Sequence, residues 1–255
     1  MHITPTPAPD PQWAIPFFKG RSALVVGGSS GIGAAIAAAF LEAGASVTVT
    51  GATDGEIAAS DLQGRPGATL RQLDVRDRTG VDALVSALPG LDVVVNCAGI
   101  IRRGDELDPD VFASVVDINL NGSMRVCAAA RPLLAQSSQG AIVNLASVLT
   151  FQGGGLVPGY SASKGGIGQM TKSLAIAYAG DGVRVNAVAP GWITTSLTQD
   201  LQEDPGRSEA ILARTAMKRW GRPEDVVGGV LFLASPAAAF VTGVILPIDG
   251  GYLIT

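Results

Sequence analysis

The sequence predicts an α/β fold: one domain built on a doubly wound parallel sheet of seven strands, with helices on both faces. Three observations predict it. Short apolar runs alternate with longer helix-favouring stretches, the pattern of parallel strands joined by right-handed helical crossovers. Charged residues are only 16% of the chain and glycines number 33, with a mean hydropathy of +0.34; strands covered on both faces need such an apolar composition. Finally, a glycine-rich turn stands between the first apolar run and an alanine-rich stretch, the strand–turn–helix order of a Rossmann-type nucleotide site.

Taken in order, residues 1–18 form a proline-rich N-terminal arm, with Pro5, Pro7, Pro9, Pro11 and Pro16, and are expected to be extended. The folded domain is expected over 19–255. Ser22 to Val26 is the first strand, and Ala34 to Ala43 the first helix. Further strands are expected at Ser46 to Thr50, Thr69 to Leu73, Leu91 to Val95, Ala141 to Leu145, Val183 to Val188 and Val244 to Ile248. Helices fit at Asp108 to Leu134, Tyr160 to Ala179 and Pro223 to Leu233. No linker or internal repeat divides the 255 residues, so one core is expected.

Composition narrows the function. A net charge of −4 offers no general attraction to nucleic acid or anionic lipid. Cys97 and Cys127 lie in apolar surroundings and read as reduced core residues of a cytoplasmic protein. His2 is the only histidine, which leaves none for a serine-hydrolase triad or a zinc cluster in the body of the chain, and no metal site is expected. The uncharged runs at Ala23 to Leu41 and Gly228 to Ile248 are broken by glycine, serine or proline and read as strand, turn and helix pieces, not membrane spans.

Two motifs carry chemistry. In Gly27-Gly28-Ser29-Ser30-Gly31-Ile32-Gly33, a turn that opens a helix brings backbone N–H groups and the helix dipole to a phosphate. Gly27 suits the tight turn, Gly31 the close approach of a pyrophosphate, and Gly33 the packing of helix on strand. In Tyr160-Ser161-Ala162-Ser163-Lys164, tyrosine and lysine at i and i+4 share a helix face. A nearby ammonium lowers a phenol pKa from about 10, so Lys164 is expected to fit Tyr160 for proton transfer beside a carbonyl.

With these residues in place, Lys19 to Thr255 closely resembles the short-chain dehydrogenase/reductase family. The matching pieces are the Gly27–Gly33 turn, Asp74, Asn96-Cys97-Ala98-Gly99, Asn119, Ser147, Tyr160 with Lys164, and Pro190-Gly191-Trp192-Ile193-Thr194-Thr195. Val26 and Cys97 depart from the usual threonine and asparagine. The resemblance implies an NAD(P)-dependent oxidoreductase acting on a secondary alcohol or ketone. It gives Tyr160 the general acid–base role, Ser147 a hydrogen bond to the substrate oxygen, Lys164 a second contact at the nicotinamide ribose, and Asn119 a water that relays protons. It places the cofactor on Gly27, Ser29, Ser30, Gly31, Ile32, Gly33, Asp74, Val75, Asn96, Ala98, Gly99, Tyr160, Lys164, Pro190, Gly191, Ile193 and Thr195. NAD and NADP both stay open: Gly51 stands where NAD-selective members usually carry aspartate, and no arginine replaces it. A homotetramer is also implied.

Within that family the chain looks most like the 2-dehydro-3-deoxy-D-gluconate 5-dehydrogenases, also described as 2-deoxy-D-gluconate 3-dehydrogenases. Ala98 to Arg103, Leu145-Ala146-Ser147, Phe151 to Gly154, Val157-Pro158, Arg207 to Leu212, Trp220 to Pro223 and Asp249 to Leu253 carry this likeness. A sugar acid presents a carboxylate that a guanidinium recognises, so Arg102 and Arg103 are expected at the substrate together with Ser147 and Tyr160. Gly155-Leu156 replaces an isoleucine-arginine pair usual in that group. That departure keeps a neutral sugar or polyol as an alternative substrate, beside a 3-oxoacyl-carrier-protein reductase and a nucleotide-binding regulatory protein without turnover.

Overall fold

The computed structural model describes residues 10–255; His2, Pro5, Pro7 and Pro9 lie outside them. From residue 10 the expected extended arm gives way to helix. Asp10 accepts from the Gln12 N–H to cap a 3₁₀ turn at Pro11–Ala14, and α1 (Ile15–Phe18) follows. Ala14 and Phe18 are buried in the core, and the Phe18 ring meets Phe40 edge-on at 4.9 Å between centroids. Burial of Ala14 and Phe18 overrides the proline signal, because Pro11 and Pro16 occupy first-turn positions that proline tolerates.

The remaining elements alternate as expected. They run β1 (Ser22–Val26), α2 (Gly31–Glu42), β2 (Ser46–Gly51), α3 (Asp54–Ala58), β3 (Ala68–Gln72), α4 (Arg78–Ser86) and β4 (Val93–Asn96). Next come α5 (Pro109–Val116), α6 (Ser123–Leu134), β5 (Ala141–Leu145), α7 (Pro158–Tyr178) and β6 (Arg184–Pro190). The chain then continues through α8 (Gln199–Gln202), α9 (Pro205–Arg214), α10 (Pro223–Ala234) and β7 (Ile245–Ile248). All seven strands are parallel, in the order β3-β2-β1-β4-β5-β6-β7. Strand order reverses between β1 and β4, and a crevice opens there at the carboxyl ends.

Alternation along the strands sorts the core into two layers. Val25, Val95, Val143 and Val188 pack with Ile36 and Phe40 of α2 and with Val226, Val230 and Leu233 of α10. Leu24, Val26, Val94, Ile142 and Val185 face the other way, against Val81 of α4, Val126 and Leu134 of α6 and Leu174 of α7. Burying each such side chain stabilises the fold by about 1.5–3 kcal/mol. The uncharged runs noted in the sequence are β1 with its turn and α2, and the end of α10 with β7. Among the described residues, no helix is long and apolar enough to cross a membrane.

One expected helix is helical throughout but changes its winding midway. The stretch Asp108 to Leu134 divides into α5 and α6 around a wide π turn at Asp117–Gly122. A Cβ on Gly122 would stand 2.5 Å from Val75 Cγ2, so the backbone at this turn closes directly on the end of the β3 region. The Asp117–Arg125 ion pair at 2.7 Å spans the turn. Wide turns of this kind frequently mark functional sites, and Asn119 lies on this one.

Candidate active site

The crevice is a cleft of about 770 Å³ at the carboxyl ends of the strands. Its nucleotide side is made by the turn from β1 into α2. A Cβ at Gly27, whose φ is +72°, would stand 2.5 Å from the Ala98 backbone nitrogen, and one at Gly33 would overlap the Gly27 carbonyl oxygen. These glycines are therefore dictated by backbone packing. Gly31 differs: its φ is +55°, and a Cβ there would meet only Thr195 Cγ2 at 3.5 Å, across the cleft. Ser30, the N-cap of α2, makes no side-chain cap hydrogen bond. A helix start with no side-chain cap, facing a cleft, is a ready site for phosphate.

Most expected cofactor residues converge here. Gly27, Ser29, Ser30, Gly31, Ile32, Gly33, Asp74, Val75, Ala98, Gly99, Tyr160, Lys164, Pro190, Gly191, Ile193 and Thr195 all line the cleft. Asn96 does not. It is buried beneath the floor, where its Nδ2 donates to Asn144 Oδ1 at 2.8 Å, and Asn144 Nδ2 in turn donates to Thr171 Oγ1 at 3.0 Å. Because Asn96 and Asn144 are register partners, this amide chain ties β4 to β5 and α7. Asp74 borders the cleft with its carboxylate held by Arg76, Nη2 to Oδ2 being 2.6 Å, and the hydrogen bond from Arg76 keeps its pKa below the usual carboxylate range. At the end of β2, Glu56 Oε2 accepts the Ala52 N–H at 2.7 Å and lines the cleft. A carboxylate thus borders the cleft from α3, five residues after Gly51.

The proton-handling residues meet at the middle of the cleft. Ser147 follows β5; its Oγ accepts the Leu149 N–H at 3.1 Å, which fixes the 3₁₀ turn Val148–Thr150, and it also hydrogen-bonds the Tyr160 hydroxyl. Tyr160 and Lys164 lie one turn apart on α7, with Lys164 Nζ 5.5 Å from the tyrosine ring centroid and donating to Leu145 O at 2.7 Å. The expected lowering of the Tyr160 pKa does not hold in this structure. Burial pushes the phenol upward, the Ser147 hydrogen bond pulls it back, and the Glu106 carboxylate pushes it up again. Burial also pushes the Lys164 ammonium down to about 8. A lysine under that desolvation does not outweigh the tyrosine's own. At neutral pH Tyr160 therefore stands as a proton donor.

Asn119 belongs to the scaffold of this centre and does not line the cleft. Its Oδ1 accepts the Ile100 N–H at 2.8 Å, while Nδ2 donates to Ile100 O at 3.0 Å and to Ser163 Oγ at 3.1 Å. Its fully buried amide is therefore committed to the loop after β4 and to α7. Both Nδ2 hydrogens are thus taken, and a water held by this side chain would bond to the second lone pair of Oδ1.

Sequence reasoning missed Glu106. It is buried, and its two carboxylate oxygens accept the N–H groups of Arg102 and Tyr160, each at 2.7 Å. The N-cap of α7, Val157, makes no side-chain cap bond, so Glu106 caps the catalytic helix from a distant loop and favours its positive end. The signal is not local: 54 residues separate Glu106 from Tyr160.

The two substrate arginines part company. Arg103 lines the cleft, whereas Arg102 lies outside it beside Asp110 and Ser114. Leu156, Trp192, Arg214 and Tyr252 also border the cleft. Cys97 and Cys127 are free, and burial pushes each thiol up to about 12. Among the described residues, no cluster of His, Cys, Asp or Glu could hold a metal.

A phosphate-receiving helix start, a hydroxyl pair and a buried lysine in one cleft define an oxidoreductase of alcohols and ketones. The family model described as enoyl-(acyl carrier protein) reductase matches residues 26–253, and the chain belongs to this short-chain dehydrogenase/reductase family. A 2-dehydro-3-deoxy-D-gluconate 5-dehydrogenase of Pseudoalteromonas atlantica is 42% identical over 92% of this chain and 96% of its own. A galactitol 2-dehydrogenase (L-tagatose-forming) of Cereibacter sphaeroides is 38% identical over 92% and 96%. Among solved structures, a protein from Beutenbergia cavernae, proposed as an NAD(P)-dependent gluconate 5-dehydrogenase and holding NADP, aligns with a TM-score of 0.88. It is 39% identical over 94% of this chain and 99% of that one.

Proposed function

We propose that this enzyme transfers a hydride between a nicotinamide dinucleotide, NAD or NADP, and a secondary alcohol or ketone of a sugar acid such as a deoxygluconate. The observation that carries the reading is the Ser147–Tyr160 hydroxyl pair, set over Lys164 in the same cleft as the uncapped start of α2. A bound nicotinamide supplies or accepts the hydride. Backbone groups from Gly31 to Gly33, with Asp74, Ala98, Gly99 and the Pro190–Thr195 segment, are the groups that would hold the dinucleotide. For ketone reduction, Tyr160 donates its phenolic proton to the substrate oxygen, and Ser147 hydrogen-bonds that oxygen as charge develops. For alcohol oxidation the same proton moves back, with Lys164 stabilising the phenolate.

The sugar-acid part rests on the relatives and on cations in the cleft. Arg103 and Arg214 line it, and neither forms an ion pair among the described residues. The exposed Leu156 on the same cleft favours a second reading, a neutral polyol. A screen of six-carbon aldonates against the matching alditols with both cofactors separates the two. Turnover confined to alditols refutes the acid reading.

A cytoplasmic homotetramer completes the proposal. Ile176, Phe240 and Ile254 expose 81%, 105% and 86% of their surface, apolar groups that a symmetric interface would cover. Light scattering that finds a monomer at micromolar concentration opposes it.

A further inference from the structure

We infer that Arg214, held by Tyr252 and backed by Trp192, is the anchor for the substrate carboxylate; the inference rests on the sugar-acid reading above. Arg214 ends α9, and its Nη1 donates to the Tyr252 hydroxyl at 3.0 Å. Its guanidinium carbon also sits 4.4 Å from the Tyr252 ring centroid. The tyrosine is itself buried and meets Trp192 edge-on at 6.0 Å, and Trp192 meets Trp220 at 6.1 Å. A row of rings thus fixes the position of a cation that would otherwise sample many rotamers. Holding a long side chain in advance removes much of the ordering cost of binding.

Location assigns the ligand. Trp192 follows the end of β6, next to β5, whose end carries Ser147; the nucleotide turn lies on the far side, after β1. Arg214 therefore borders the substrate end of the cleft. Among the described residues its charge has no carboxylate partner, yet the residue lines a cavity and remains exposed. Stacked guanidinium is well suited to a planar carboxylate, which it can meet with two parallel N–H bonds. The same wall holds a second unused donor: Trp192 Nε1 is buried with no hydrogen-bond partner. Arg214 also answers the loss of the cation at Leu156, because a positive charge reaches the cleft from α9 instead of from the 151–157 loop.

The test compares D-gluconate with D-glucitol, which share a carbon chain and differ at the carboxylate, using the full-length enzyme with each cofactor. Arg214→Ala is expected to raise KM for the acid ten- to a hundredfold and to cut the acid-to-alditol ratio of kcat/KM by a similar factor. Arg214→Lys keeps the charge and should recover part of that ratio. Tyr252→Phe, which removes the hydroxyl but keeps the ring, should fall between wild type and Arg214→Ala. Calorimetry of D-gluconate on the NAD(P)-loaded proteins reads the same loss as binding, apart from turnover. A wild type that prefers the acid, with an Arg214→Ala variant that keeps the preference and the affinity, overturns this assignment alone. A wild type that prefers glucitol, or uses neither compound, overturns the sugar-acid reading and this assignment with it.

Discussion

The two ends of the cleft are built from different material. At the nucleotide end, one glycine turn forms the phosphate floor, and its backbone sets the shape there: Gly27 and Gly33 have no room for a Cβ. At the substrate end, Arg103, Leu156, Trp192, Arg214 and Tyr252 come from five separate segments, and side chains set the shape. Gly155 illustrates the difference, since a Cβ there would meet nothing within 4 Å. A backbone-made site is tied to one class of ligand, while a side-chain wall can change its ligand by substitution. That contrast explains why relatives of similar identity carry the names of a sugar-acid and a polyol dehydrogenase.

Tyr160 stands where the two ends meet, and its loss should give the largest effect. Tyr160→Phe is expected to lower turnover by about 10²- to 10⁴-fold while calorimetric NAD(P) affinity stays within a few fold. A variant that keeps most of its turnover removes the phenol from the chemistry.

Lys164 gives a thermodynamic signature of the same centre. Burial holds the folded ammonium at about 8, against roughly 10.4 in an unfolded chain. Between those values the unfolded state binds the extra proton, so this group's contribution to stability rises with pH through that window. Relative to Lys164→Met, wild type should gain about 2 kcal/mol between pH 8 and 10, at 1.36 kcal/mol per pKa unit. Urea unfolding of the pair measures it. The thiols of Cys97 and Cys127, pushed up to about 12, act in the opposite sense at high pH. Cys127 is common to both proteins and cancels, whereas Cys97 interacts with Lys164 and cancels only in part, so the pair is compared with Cys97→Ala in both backgrounds. A flat difference contradicts the desolvated lysine.

Glycine substitutions contrast the two ends directly. Gly31→Val forces a branched residue to φ +55°, costing about 1–2 kcal/mol for that conformation alone, and places bulk against the helix start. NAD(P) affinity should drop at least tenfold. Gly155→Ala should change it less than twofold. Equal effects of the two would erase the distinction between a backbone-made and a side-chain-made end.

The smallest effect separates two adjacent arginines. Arg103→Ala should raise KM for an acid up to about tenfold, or roughly 1.4 kcal/mol, whereas Arg102→Ala should leave it within twofold, since only Arg103 lines the cleft. The reverse order would relocate the substrate.

Legibility in the sequence follows the same division. Seven strands, their alternation with helices, the phosphate turn and the Tyr160–Lys164 pair were readable because each is a local pattern of period or spacing. The π turn at Asp117–Gly122 was not, because it goes with the contact between Gly122 and Val75. The helix at Pro11–Phe18 depends on docking Phe18 against Phe40. Asn96 carries a motif position yet serves the sheet beneath the cleft, and Asn119 spends its amide on Ile100 and Ser163. Glu106, Glu56 and Arg214 act across the fold or from an unmarked position, and no spacing rule points to them. The direction of the Tyr160 pKa was misjudged for a related reason. A helical spacing shows the neighbouring charge but not the burial that opposes it.

The central claim is that Tyr160 exchanges a proton with a sugar-acid substrate whose oxygen Ser147 hydrogen-bonds, while a nicotinamide exchanges the hydride. It is tested most directly by following reduced nicotinamide during turnover of six-carbon aldonates and their alditols by wild type and Tyr160→Phe. The account predicts wild-type turnover with a preference for aldonates, and a loss of at least about a hundredfold in the variant with cofactor binding retained. Aldonate turnover that survives in Tyr160→Phe, or wild-type activity restricted to alditols, contradicts it.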